Sequence, residues 1–147
     1  MRSRHCSVTR PAAVDEVGSD RRRRLASVSG VNVDVTDPEN RKLIVLARSS
    51  RARTGAREGA AVRDLDGRTY TAATVALPSL QVSALALATA MAVSSGATGL
   101  EAAAVVTDAD ADAAADADLA VLADLAGAGT PVLVADSSGQ LRSQEHT

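Results

Sequence analysis

The sequence predicts an α/β domain, a mixed sheet with helices on both faces. Three observations carry that prediction. Residues 80–96 are a run of helix formers closed by Gly96, the apolar run 100–106 that follows has the character of a buried strand, and an Asp-Gly turn separates two β-prone runs further upstream. The full order of elements, α-β-β-α-β-α-β, places helices between strands and so on both sides of one sheet.

Residues 1–34 hold no sustained period of 3.6 or 2 and mix Arg, Ser, Val, Gly and Pro11, so they are expected to be a disordered basic leader. Within them, Arg21-Arg22-Arg23-Arg24 fits either a phosphate-binding arm or a solvated tail, and short charge runs are usually solvated. His5 and Cys6 are two adjacent ligands without partners, which do not make a metal site. The domain is expected over residues 35–141, with 142–147 a polar tail.

Asp37-Pro38-Glu39 starts a helix: Asp accepts from free amides, Pro suits the first helical position, and Glu complements the positive helix end. The helix runs through Leu43, Ile44, Leu46 and Ala47 to about Arg53 and stops at Thr54-Gly55. Its outer face holds Arg41, Arg48, Ser49 and Arg51, the composition of a solvated or acid-paired face before that of a ligand site. Residues 59–63 and 68–75 flank Asp64-Leu65-Asp66-Gly67 as a hairpin. Leu77-Pro78-Ser79 leads into the helix ending at Gly96. After the strand at 100–106, residues 118–125 form a helix ending at Gly127, and 130–135 a last strand closed by Ser137-Ser138-Gly139.

The chain has 147 residues, one domain's worth, and 46% of them are apolar. Trp and Phe are absent and Tyr70 is the lone aromatic, so Ala, Val and Leu must fill the core. Ala buries little area, which makes burial between subunits attractive and predicts a homo-oligomer. Residues 1–33 carry seven Arg against Asp15, Glu16 and Asp20, a charge of +4 that leaves −6 for the rest of a chain totalling −2. An acidic domain is poorly suited to nucleic acid, which leaves the Arg-rich leader as its one means of touching phosphate. With Cys6 as the only cysteine there is no intrachain disulfide and no Cys cluster for a metal, which fits a cytoplasmic protein. No run approaches the roughly 18 apolar residues of a membrane span. The residues after Arg24 are too polar for an export signal.

Lys42-Leu-Ile-Val-Leu-Ala-Arg48, Glu58-Gly-Ala-Ala-Val62, Asp66-Gly-Arg-Thr-Tyr70 and the Ala-Val-Ser-Ser-Gly ending at Gly96 resemble, in this order, the small homo-oligomeric cytidine deaminases. The likeness covers about residues 37–134 and implies their three-layer α/β/α sandwich with a mixed sheet. In that family a Cys-Ala-Glu word opens the central helix and a Pro-Cys-x-x-Cys word opens the next. The three Cys hold zinc, whose hydroxide attacks the pyrimidine C4, while the Glu moves protons. Here the first word falls on Ser83-Ala84-Leu85, and Ala115 and Asp118 fall at the two later Cys positions. The resemblance implies zinc, but its ligands are absent, so no cofactor, no metal ligand and no catalytic residue is expected. The family's ribose-binding Asn and Glu fall on Thr74 and Ala76.

Other constellations fail on ligand count. Asp108-Ala-Asp-Ala-Asp112 opens like a calcium loop, but Ala113 stands for the turn Gly and Leu119 for the closing Glu. Gly127-Ala-Gly129 is a turn without a phosphate-binding motif, and His5 and His146 lie in expected tails, away from any nucleophile. The sequence therefore predicts a non-catalytic pseudoenzyme acting as a homo-oligomeric binding or structural module. Thr74, Ser79, Ser83 and Thr107 are the candidate polar liners of a vestigial pocket for a small nucleoside-like ligand. The alternatives are a genuine deaminase with unrecognised ligands and a nucleic-acid-associated protein working through the leader.

Overall fold

The computed structural model describes residues 37–108 and 114–147, which belong to one compact unit. The leader expected at 1–34 lies outside the described residues.

Helix α1 spans Pro38–Thr54 and starts as the sequence predicts. Asp37 accepts from the Glu39 amide at 3.0 Å, and Gly55 closes the helix with φ 67°, its N–H donating to the Arg51 carbonyl. Strands β1 (Glu58–Asp64) and β2 (Thr69–Ala73) form the expected hairpin. Its turn is organised by Asp64, whose buried carboxylate accepts from the amides of Asp66 (3.0 Å) and Arg68 (2.9 Å) and from the Tyr70 hydroxyl (3.0 Å). Burial works to raise the Asp64 pKa, but these hydrogen bonds outweigh it and hold the carboxyl below its ordinary range.

The next segment differs from expectation. Strands β3 (Val75–Leu77) and β4 (Leu80–Val82) pair across a two-residue Pro78-Ser79 turn, so residues 80–82 are extended and helix α2 spans Ala84–Ser94. The boundary falls at Ser83, which has an extended backbone and caps α2 by accepting from the Ala86 amide at 3.2 Å. Strand β5 (Leu100–Thr107), helix α3 (Asp116–Ala126) and strand β6 (Pro131–Asp136) follow close to prediction. Residues 142–147 are not a tail. Strand β7 (Leu141–His146) pairs antiparallel with β6, and Thr147 donates its amide to the Thr130 carbonyl. Pairing satisfies a polar backbone that the side chains alone do not mark as a strand.

The sheet order is β2-β1-β5-β6-β7, with β5 and β6 parallel and the other pairs antiparallel. Helix α1 covers one face, packing Leu43, Ile44 and Ala47 on Ala61, Ala102, Ala104, Val106 and Leu133. Helices α2 and α3 cover the other, where Leu85, Ala88 and Leu122 meet Ala60, Val62, Ala103 and Val132. This is a three-layer α/β/α fold. The layers approach closely because small residues face one another. A Cβ on Gly59 would collide with the Ala47 carbonyl oxygen of α1 and lie 2.7 Å from the Arg51 nitrogen. No helix among the described residues is long and apolar enough to cross a membrane.

Candidate functional site

Two helix N-termini meet on the α2/α3 face of the sheet, and each presents unpaired amides and a positive dipole end. Ser83 caps α2, and Asp118 stands in the first turn of α3. Their side chains touch: the Ser83 hydroxyl donates to Asp118 Oδ1 at 2.5 Å while its oxygen accepts from the Ala86 amide. Ala115, at the α3 N-cap, offers no side-chain hydrogen bond. Leu85 is 1% exposed and packs in the core against the sheet.

Glu58, at the head of β1, completes the group. Burial raises its pKa above the ordinary carboxylate value, the Asp118 charge adds to the rise, Arg57 opposes it, and Asp108 raises it further. Asp108 is itself held by Arg51 Nη2 at 2.9 Å, and Arg51 Nε donates to the Arg57 carbonyl at 3.0 Å. In the sequence Glu58 stands out only as the residue before Gly59-Ala60-Ala61. Its one signal is a charge at the head of a strand whose next four residues, Gly59-Ala60-Ala61-Val62, are uncharged and buried.

The four predicted liners are distributed unequally. Thr74 donates its amide to the Glu58 carbonyl at 3.1 Å, and Thr107 is buried and lies opposite Glu58 in the β1–β5 register, so both adjoin Glu58. Ser83 adjoins Asp118. Ser79 is exposed at the tip of the β3–β4 turn. Grooves lie elsewhere, among them one of about 520 Å³ between α2 and α3, lined by residues such as Thr89, Val93, Val121 and Leu125, and one of about 430 Å³ beside α1.

Residues 36–139 match the family model described as cytidine deaminase-like. The chain belongs to the cytidine deaminase-like family. No curated protein matches it. Among solved structures it is similar to the cytidine deaminase of Burkholderia pseudomallei, with 23% identity, a TM-score of 0.62 and coverage of 72% of this chain and 89% of that one. The Mycobacterium leprae cytidine deaminase is similar at 18% identity and TM-score 0.58, covering 71% and 90%. The Mycobacterium tuberculosis cytidine deaminase follows at 24% and 0.53, covering 69% and 86%. At these identities the likeness is one of fold.

The residues present do not fit the zinc that the family implies. A structural or catalytic zinc takes thiolate, imidazole or carboxylate donors. Ser83 offers a neutral hydroxyl whose proton is committed to Asp118, and Ala115 offers no donor atom. Among the described residues no three His, Cys, Asp or Glu side chains converge as a metal-binding group. The Ser83–Asp118 hydrogen bond joins, through protein atoms alone, two positions that the motif placement assigned to separate zinc ligands.

Proposed function

We propose that this member of the cytidine deaminase-like family is non-catalytic and works as a self-associating binding or structural module. The Ser83–Asp118 hydrogen bond supports this reading most directly, because it occupies the helix starts with a donor and acceptor that satisfy each other. Leu85 adds to it: a buried hydrocarbon stands where the family's proton-moving Glu would, and it cannot carry a proton. The zinc content of the purified protein, measured by mass spectrometry, together with cytidine turnover in the presence and absence of a chelator, tests the proposal. The expected result is no zinc above trace and no turnover. About one zinc per chain with chelator-sensitive deamination would overturn it in favour of a genuine deaminase.

The binding role extends to a small nucleoside-like ligand near Glu58, where Thr74 and Thr107 supply hydroxyls and Ser83 would exchange its Asp118 partner for the ligand. Titration calorimetry with cytidine should show weak binding that Thr74→Val combined with Ser83→Ala abolishes, and unchanged binding in that variant would remove these residues from the site. Self-association is assigned to the outer face of α2. That helix has no charged residue, and its apolar side chains are not confined to one side. Met91 and Val93 remain exposed, with Val121 of α3 beside the groove that Val93 lines. In a two-fold contact each residue near the axis meets its own copy, so a charge-free helix avoids like-charge repulsion. A cytoplasmic setting belongs to the same proposal and rests on a chain with one cysteine.

A further inference from the structure

The outer face of α1 lies across the sheet from the Ser83 site. Arg41 and Arg48 are seven residues apart on that helix, two turns and about 10 Å of rise, so they project from the same side. Between them lie Ile44 and Val45, the latter 60% exposed. The β6–β7 turn and the start of β7 form the facing wall with Ser138, Gly139, Gln140 and Leu141, and the open groove between has a volume of about 430 Å³. This groove is cationic at both ends and apolar in the middle, within the size range of small-molecule sites. No acidic side chain lines it.

Asp136, the acid at the base of that turn, is spent within it. Its Oδ1 accepts from Ser138 Oγ (2.5 Å) and from the amides of Ser138 (2.9 Å) and Gln140 (3.1 Å), and its Oδ2 faces Arg142 Nε at 3.7 Å. Gly139 has φ 89°, and a Cβ built there would lie 3.5 Å from Arg48 Cδ, so the turn holds the arginine stem against the groove wall. Arg48 makes no ion pair with another described residue. Arg41 already has a partner, and five N–H donors on a guanidinium leave capacity for a second.

The geometry points to a binding site for an elongated organic dianion, with an anionic group at each arginine and an apolar body over Ile44, Val45 and Leu141. Nonanedioate, whose extended length matches the two-turn rise, is the probe. Calorimetry on the full chain should show saturable binding that weakens with added salt and at least about tenfold in Arg48→Gln or Arg41→Gln, each checked for fold by circular dichroism. Pentanedioate, too short to reach both ends, and nonanoate, with one charge, should each bind at least about tenfold more weakly than nonanedioate. Equal affinity for all three probes, or binding unchanged in Arg48→Gln, would overturn the assignment. So would saturable binding of poly-glutamate with none of nonanedioate, which would give the groove to an acidic chain.

Discussion

Glu58 is half-buried beside the charge of Asp118, and both effects penalise its ionised form. A carboxyl whose folded pKa is raised favours folding below its unfolded pKa, and that contribution is lost as pH rises through the folded value. At neutral pH, therefore, ionised Glu58 opposes folding. Glu58→Gln should raise the melting temperature at pH 7 and change it little at pH 4, and thermal melts at the two pH values check the difference. Asp64 has the opposite sign. Its pKa is held down by the amides of Arg68 and Asp66 and by the Tyr70 hydroxyl, so its contribution is present above the unfolded value and lost as pH falls through the folded one. Asp64→Asn should lower stability at pH 7 and flatten the acid limb below about pH 4, where an unfolded Asp titrates. Denaturant melts from pH 3 to pH 7 would show it. The sequence announced Asp64 through its Asp-Gly turn, and it announced Ser83 and Asp118 through motif placement. Glu58 gave no comparable sign, because burial and the charges of Asp118 and Asp108, 50 or more residues away in the chain, make its environment.

The elements follow local chemistry wherever that chemistry is complete. Helix α1 has its cap, its Pro and its closing glycine in sequence, and it was legible to within a residue or two. Helix α2 was not, because Leu80-Gln81-Val82 runs into Ala-rich sequence without a break, and only the pairing of those residues with β3 makes them extended. Ser83 marks the true start. Ser83→Ala removes both the cap and the bond to Asp118 and should cost about 1 kcal/mol, measured by chemical denaturation. Gly59→Ala tests the contact between α1 and β1. The added methyl meets backbone that cannot swing away, so a loss of about 3 kcal/mol is expected, at the upper end for overpacking. Strand β7 was illegible for a different reason: Leu-Arg-Ser-Gln-Glu-His has no strand pattern of its own and becomes one by pairing with β6.

At the scale of the whole molecule, the architecture was legible because helix and strand order leaves few alternatives, whereas the site had to be inferred from what a motif lacked. Twelve of the 23 buried apolar residues described are Ala, so each layer contributes little area and the domain would gain by covering α2 with another copy, as proposed above. Light scattering should find a dimer or larger assembly. Val93→Asp, which puts a charge opposite its own copy, should yield a folded monomer, and an unchanged assembly would exclude this face. The order β2-β1-β5-β6-β7 also sets how the chain tolerates shortening. Strand β7 shields Val132-Leu133-Val134-Ala135, four consecutive buried apolar residues. A stop before Leu141 would leave the domain nearly complete yet turn that hydrophobic strand into an open template for cross-molecule pairing. The polar hexapeptide at 141–146 is thus the molecule's guard against aggregation, and shortened forms should be lost as insoluble protein before they are lost as unfolded protein.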